Sequence, residues 1–104
     1  MATSTITNTI TDATGAALSG VIVVIRLLPR GAWRTTEGTE IAPVYYTTTN
    51  GSGIWSATLE ETANITPTGS YYEVEERLTA RQGGPRKHDF EVPAGNVTLF
   101  AALR

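Results

Sequence analysis

The segment from residue 3 to residue 12 alternates between two kinds of side chain, which restricts what the chain can fold into. Ile6 and Ile10 fall on one side of an extended chain, and the threonines at odd-numbered positions fall on the other. A period of two is typical of a half-buried β-strand. Asn8 interrupts the apolar side, so we expect either a bulge or a hydrogen-bonded polar group in the core there. No window of the sequence has apolar residues at helical spacing over three turns, which favours an all-β fold.

The next segment, residues 21–28, is apolar on both faces except at Arg26. A strand of this kind is central in a sheet, or a partner covers its second face. Residues 29–43 have no regular pattern. An irregular segment of this length is usually functional, mobile or folded into a short hairpin of its own.

Glycine and proline divide the rest of the chain into short strands. We expect these strands at residues 44–49, 54–60, 71–78, 87–92 and 97–103. The sequence Asn-Gly-Ser-Gly at residues 50–53 predicts a hairpin turn, because these residues tolerate a positive φ. This spacing predicts a two-sheet antiparallel β-sandwich of seven to eight strands. A chain of 104 residues holds one core, so we expect a single domain spanning residues 1–104.

Composition excludes several classes of function. The net charge of −2 argues against a general electrostatic attraction to nucleic acid or to a membrane surface. The longest apolar run, residues 21–25, is far shorter than a membrane span. The absence of cysteine excludes disulfides, thiolate metal sites and cysteine nucleophiles. His88 is the only histidine and its neighbour Asp89 points to the opposite face of a strand, so we expect no catalytic site, no metal and no cofactor.

Three motifs in a fixed order indicate a family. They are G-A-A-L-S-G-V at residues 15–21, T-N-G-S-G-I-W-S-A-T-L at residues 49–59 and G-S-Y-Y-E-V-E-E at residues 69–76. Together they resemble motifs of the prealbumin-like β-sandwiches, such as the carboxypeptidase-regulatory-like and adhesin B-type repeats. With the ending V-P-A-G-N-V-T-L at residues 92–99, the chain resembles small modules of actinobacteriophage virion proteins still more closely. The resemblance covers nearly the whole chain and implies an Ig-like or prealbumin-like fold.

The resemblance also implies a function. We expect a structural protein of a bacteriophage virion, a capsid decoration or tail-associated module, that contacts other virion proteins. The strand at residues 3–12 has no Lys, Arg or Pro to block edge pairing. With the segment 21–28, which is apolar on both faces, this favours a homo-oligomer, and we expect a trimer. The alternative is a carbohydrate- or host-surface-binding module, in which Trp33, Tyr45 or Tyr46 would stack on a host-surface glycan.

The candidate interface residues lie in the first strand and in the irregular segment 30–41. Trp33 stands between Arg30 and Arg34, and Trp and Arg are enriched at interface hot spots. Its alternative role is a plug over an open end of the sandwich. The full set of interface candidates is Thr5, Thr7, Thr9, Arg30, Trp33, Arg34 and Ile41.

Two charges fall on faces that the pattern predicts to be apolar. Arg26 shares a face with Ile22, Val24 and Leu28, and Glu76 shares one with Tyr72 and Val74. A charge on an inward face is costly unless it is paired. We expect both to be partnered, near a sheet edge or across a subunit interface, unless their side chains reach outward to water.

Adhesin repeats that resemble this chain can carry an isopeptide cross-link between a first-strand Lys and an Asn or Asp. In those repeats a Glu at the position of Glu76 activates the bond. The only lysine here is Lys87, late in the chain. We therefore expect no internal cross-link.

Overall fold

A computed structural model describes residues 2–28 and 33–104 of the chain. In these residues the strands are β1 (Thr3–Thr9), β2 (Ile22–Leu28), β3 (Trp33–Thr35), β4 (Glu40–Ile41), β5 (Val44–Thr48), β6 (Ile54–Glu60), β7 (Ile65–Thr66), β8 (Tyr71–Arg77), β9 (Arg86–Phe90) and β10 (Val97–Thr98). The helical elements are α1 (Leu99–Ala102) and two short 3-10 helices at Thr62–Asn64 and Ala80–Gln82. The predicted all-β fold is confirmed.

Two main sheets build the sandwich. The larger has the strand order β5-β2-β8-β9 and is antiparallel throughout, and the smaller has the order β10-β1-β6. Side chains from both sheets form one core, with Val23, Ile25 and Val74 from the larger sheet and Ile6 and Trp55 from the smaller one. In the described residues these two sheets contain seven strands, which agrees with the number expected from the sequence.

The end of the chain differs from the sequence prediction. The sequence predicts one strand over residues 97–103, but only Val97–Thr98 are extended, and α1 follows. The reason is that Leu99 and Ala102 bury one side of a helical turn while Phe100 stays 69% exposed. Strand β10 runs parallel to β1, pairing Ile6 with Val97, so the smaller sheet is mixed rather than wholly antiparallel. Strand β1 therefore lies between β6 and β10 and is not the open edge that the sequence suggested.

The irregular segment 29–43 contains a short hairpin. Strands β3 and β4 pair Trp33 with Ile41 and Arg34 with Glu40, and β7 joins the other side of β3. One of the three outcomes expected for this segment is thus confirmed. Arg30 lies outside the described residues.

The turn between β5 and β6 forms at the predicted residues, but the predicted hairpin is wrong: β5 pairs with β2 and β6 pairs with β1, so the turn carries the chain from one sheet to the other. Asn50 Oδ1 accepts hydrogen bonds from the backbone N–H of Ser52 at 2.9 Å and of Ile54 at 3.1 Å. Gly53 has a φ of +74°, and a Cβ there would lie 2.4 Å from the carbonyl oxygen of Ile10. Only glycine fits this close approach. The turn thereby fixes the register in which Trp55, Ala57 and Leu59 of β6 enter the core.

Candidate interaction surfaces

Glu76 lies in the core between the two main sheets. Its side chain is on the inner face of β8, and the residue is 2% exposed. One carboxylate oxygen, Oε2, accepts hydrogen bonds from Trp55 Nε1 and from Asn8 Nδ2, both at 2.7 Å. The imidazole Nε2 of His88 lies 4.0 Å from the other oxygen, Oε1. Charge-assisted hydrogen bonds of this length offset the cost of burying a carboxylate.

The same contacts account for Asn8. Its amide is the hydrogen-bonded polar core group that the sequence allowed for on the apolar side of the first strand. Because Asn8, Trp55 and Glu76 belong to β1, β6 and β8, their hydrogen bonds join the two main sheets. The partners predicted for Glu76 are therefore residues of its own chain, and its carboxylate stabilises the packing of the two sheets.

Arg26 lies on the outer face of the larger sheet, which corrects the face assigned from the sequence. Val23, Ile25 and Leu27 turn toward the core, so Arg26 belongs to the face that points away from it. The sequence could not separate the two faces of β2, since both are apolar apart from this arginine. Its guanidinium lies 3.2 Å from Glu75 Oε1 and 3.5 Å from Glu73 Oε1. The partners of Arg26 therefore belong to its own chain.

The ion pairs of this face lower the pKa of one carboxyl group. Burial alone raises the pKa of Glu75, but the hydrogen bond from Arg26 and the charge of Arg77 more than reverse this effect. Arg77 Nε lies 3.4 Å from the same Oε1 atom. The pKa of Glu75 consequently lies below its ordinary value of 4.5.

The outer face of the larger sheet is divided into a charged half and an apolar half. The charged half runs along β8 and β9, and there the Arg104 guanidinium covers the Tyr71 ring at 3.9 Å. The apolar half lies along β5 and the start of β2, where Ile22, Val44 and Tyr46 are 48%, 41% and 66% exposed. We call these three residues the apolar patch. None of the interface residues predicted from the sequence belongs to the apolar patch, although the uncharged run at residues 44–48 is a visible signal of it.

The outer face of the smaller sheet carries hydroxyl groups. Thr5 and Thr7 are half-buried and Thr9 is exposed. The hydroxyl groups of Thr5 and Thr58 are 2.9 Å apart, and the Thr5 N–H donates to Asn96 Oδ1 at 2.9 Å. The three threonines proposed as interface residues therefore face away from the core, as the alternation predicted. Pairing of Thr7 with Thr98 of β10 extends this hydroxyl face.

The side chain of Trp33 is not exposed at the surface. It is 4% exposed and belongs to the core, because β3 turns it inward opposite Ile41. This contradicts its interface role and agrees with the alternative of a plug. Ile41 is half-buried against the core, and Arg34 is exposed, with its guanidinium 3.7 Å from Glu40 Oε1. Of the predicted interface residues in this loop, only Arg34 is freely accessible among those that the structure describes.

A groove of about 300 Å³ opens between β5, the end of β6 and the β3–β4 hairpin. Tyr45 lies at its rim, and Glu60 and Tyr72 line it. The Tyr72 hydroxyl donates to the Glu60 carbonyl oxygen at 3.0 Å. Burial first, and then the charge of Glu60, raise the pKa of the Tyr72 hydroxyl. Tyr45 and Tyr46 lie on opposite faces of β5, so they cannot form one stacking platform.

The surroundings of His88 are those of a packed strand residue. Its ring lies 6.5 Å from that of Phe100 in an edge-on arrangement. In residues 2–28 and 33–104, no group of three metal-ligating side chains comes together. No helix in the described part of the chain is long and apolar enough to cross a membrane.

No known protein-family model matches this sequence, and no curated protein matches it either.

Proposed function

We propose that the chain is a structural protein of a bacteriophage virion, a capsid decoration or tail-associated module that acts through subunit contacts on the particle surface. The observation that carries the proposal is the apolar patch. Ile22, Val44 and Tyr46 leave large apolar side chains exposed on one half of an otherwise ion-paired face. Clustered apolar surface of this kind marks contact with other proteins. The resemblance to actinobacteriophage virion modules suggests that the contacted proteins are those of a phage particle.

In this proposal the sandwich is a rigid body with two different contact faces. The apolar patch supplies buried area when a neighbour covers it. The hydroxyl face around Thr5, Thr7 and Thr9 offers donors and acceptors that fix the orientation of a second neighbour, which would be another virion protein. Homo-oligomerisation is part of the proposal, and the trimer favoured from the sequence is one of the oligomeric states that it allows.

Purified phage particles test this proposal. If the chain is a virion protein, mass spectrometry of gradient-purified particles of the phage that encodes it will detect the chain in many copies. The double variant Ile22→Ser, Tyr46→Ser should be lost from particles, while a matched control on the charged half of the same face, Lys87→Gln, should be retained. A chain that is abundant in the lysate and absent from purified particles would contradict the proposal.

A second function, binding of a host-surface glycan, has one specific observation in its favour. Tyr45 is 41% exposed at the rim of the groove, beside the carboxylate-bearing Glu60. An aromatic ring with a nearby polar group is a common arrangement for holding a sugar. Binding of the purified chain on a glycan array, lost in Tyr45→Ala and kept in Tyr46→Ala, would favour this function. Trp33 has no part in it, because its ring is buried.

A further inference from the structure

Strand β5 presents an open edge of the larger sheet. The Leu27 N–H donates to the Pro43 carbonyl and the Thr49 N–H donates to the Val21 carbonyl. In an antiparallel pair the backbone groups alternate in direction, so the N–H and C=O groups of Val44, Tyr46 and Thr48 point away from β2. In the part of the chain that the structure describes, no backbone or side-chain group bonds to these outward groups.

Nothing in β5 protects this edge. Natural edge strands are usually blocked by charged residues, proline, a bulge or a covering segment. The sequence Val-Tyr-Tyr-Thr-Thr contains no charge and no proline. Its β-branched and aromatic residues favour an extended chain, and four of its five residues are exposed.

The opposite edge, strand β9, is protected. It contains Arg86, Lys87 and Asp89, and the C-terminal residues cover its backbone. The Arg104 N–H donates to the Asp89 carbonyl at 2.9 Å, and the Glu91 N–H donates to the Ala102 carbonyl at 3.0 Å. The larger sheet can therefore be extended at β5 and not at β9. Pairing of β5 with β5 of a second copy is an isologous contact, in which both partners use the same edge, and such a contact closes as a dimer.

We propose that two copies of this chain join through β5, antiparallel, about a two-fold axis at Tyr46. In this register Val44 of one copy lies opposite Thr48 of the other, and the two Tyr46 residues lie opposite each other. Each outward N–H then meets an outward carbonyl of the second copy. The edge is uncharged, so self-pairing brings no like charges together.

The proposed contact also involves two residues of the apolar patch, Val44 and Tyr46. A two-fold axis perpendicular to the sheet places the outer faces of both copies on the same side. The side chains of Val44, Tyr46 and Thr48 are all on that face, so they form cross-strand pairs with their counterparts. The contact goes beyond the proposed function, because it can be measured on the purified chain whether or not the chain belongs to a particle. It predicts a dimer where the sequence alone favoured a trimer.

Sedimentation equilibrium of the purified chain, from low micromolar to near-millimolar concentration, tests the oligomeric state. We expect the mass to rise to that of a dimer. Tyr46→Lys places two ammonium groups at the axis and should weaken dimerisation by about tenfold or more. Thr48→Lys, at a second exposed edge position, should act in the same direction. Thr58→Lys, on the open edge of β6, is the matched control and should dimerise like the wild type. A monomer at all concentrations, a trimer, or a loss of association in Thr58→Lys would overturn the proposal.

Cross-linking tests the register. The chain has no cysteine, so a single introduced thiol reports one contact. Directly opposed residues in a hydrogen-bonded antiparallel pair have Cα atoms about 5.5 Å apart, within the range that a disulfide spans. Under mild oxidation Tyr46→Cys should give a covalent dimer, and Thr58→Cys and Lys87→Cys should not. Equal cross-linking of all three variants would overturn the proposed register.

Discussion

The same four strands form both faces of the larger sheet, but the two faces differ in where their polar and apolar side chains lie. On the inner face the one carboxylate, Glu76, is buried and accepts two short hydrogen bonds. On the outer face the charges of Arg26 and Glu75 remain near water, while Tyr46 is left exposed. The inner face therefore stabilises the fold, because a carboxylate buried there needs hydrogen-bond partners within the chain. The outer face has little influence on folding and is free to serve contacts between molecules.

The largest expected effect is on the inner face, at Trp55. Replacing a buried aromatic residue by Ala costs about 3–5 kcal/mol of unfolding free energy, and Trp55→Ala also removes a donor to Glu76. Chemical denaturation measures this loss. Trp55→Phe is the control, because it keeps an aromatic ring in the core while it removes the N–H donor and part of the indole volume, and its loss should be smaller, about 1–3 kcal/mol. A loss below about 1 kcal/mol in Trp55→Ala would show that the faces of β6 are reversed.

Next in size is the removal of the buried carboxylate. Glu76→Ala leaves Trp55 Nε1 and Asn8 Nδ2 without their acceptor in the core. Unsatisfied buried groups cost about 1–3 kcal/mol each. Asn8 is only half-buried, so its share is about 1 kcal/mol and we expect a total loss of about 2–4 kcal/mol on denaturation. Glu73→Ala, which removes a carboxylate from the outer face of the same strand, should cost less than about 1 kcal/mol. Equal losses in the two variants would abolish the distinction between the faces.

The features predicted from the sequence are those encoded by neighbouring residues. The alternation around Ile6 and Ile10, the turn at Asn50 and the inward residues of β6 all depend on period and on turn chemistry, which a single sequence contains. The face to which Arg26 belongs cannot be predicted in this way, because both sides of β2 are apolar. Only the packing of the opposite sheet decides which side is buried. The parallel pairing of Val97 with Ile6 joins residues far apart in sequence.

Two candidate sites likewise could not be predicted from the sequence alone. The charged neighbours of Trp33 favour an interface role, but in the β3–β4 hairpin its side chain points into the core. The open edge at β5 cannot be predicted from the sequence of β5 alone, because an edge depends on the order of the strands in the sheet.

A smaller effect is expected from the ion pairs of the outer face. Arg26→Ala should cost less than about 1 kcal/mol at neutral pH, because partly exposed pairs contribute little. Its signature lies in the pH dependence. The pKa of Glu75 is lowered by Arg26 and Arg77, so the stability that Glu75 contributes is present above its ordinary pKa of 4.5 and is lost as the pH falls through the lowered folded value. Denaturation at several pH values should show a smaller acid loss in Arg26→Ala than in the wild type. An unchanged acid profile would mean that Arg26 does not act on Glu75.

Residue-resolved amide hydrogen exchange at two protein concentrations tests most directly whether the outer face and its β5 edge are an association surface. At low concentration the outward N–H groups of Val44, Tyr46 and Thr48 should exchange rapidly, while the N–H of Val74 in the sheet interior is protected. At high concentration we predict that protection appears at these three amides and does not change at Ser56 and Thr58 on the edge of β6. Exchange at β5 that does not depend on concentration, or protection that appears at β6 instead, would contradict the account.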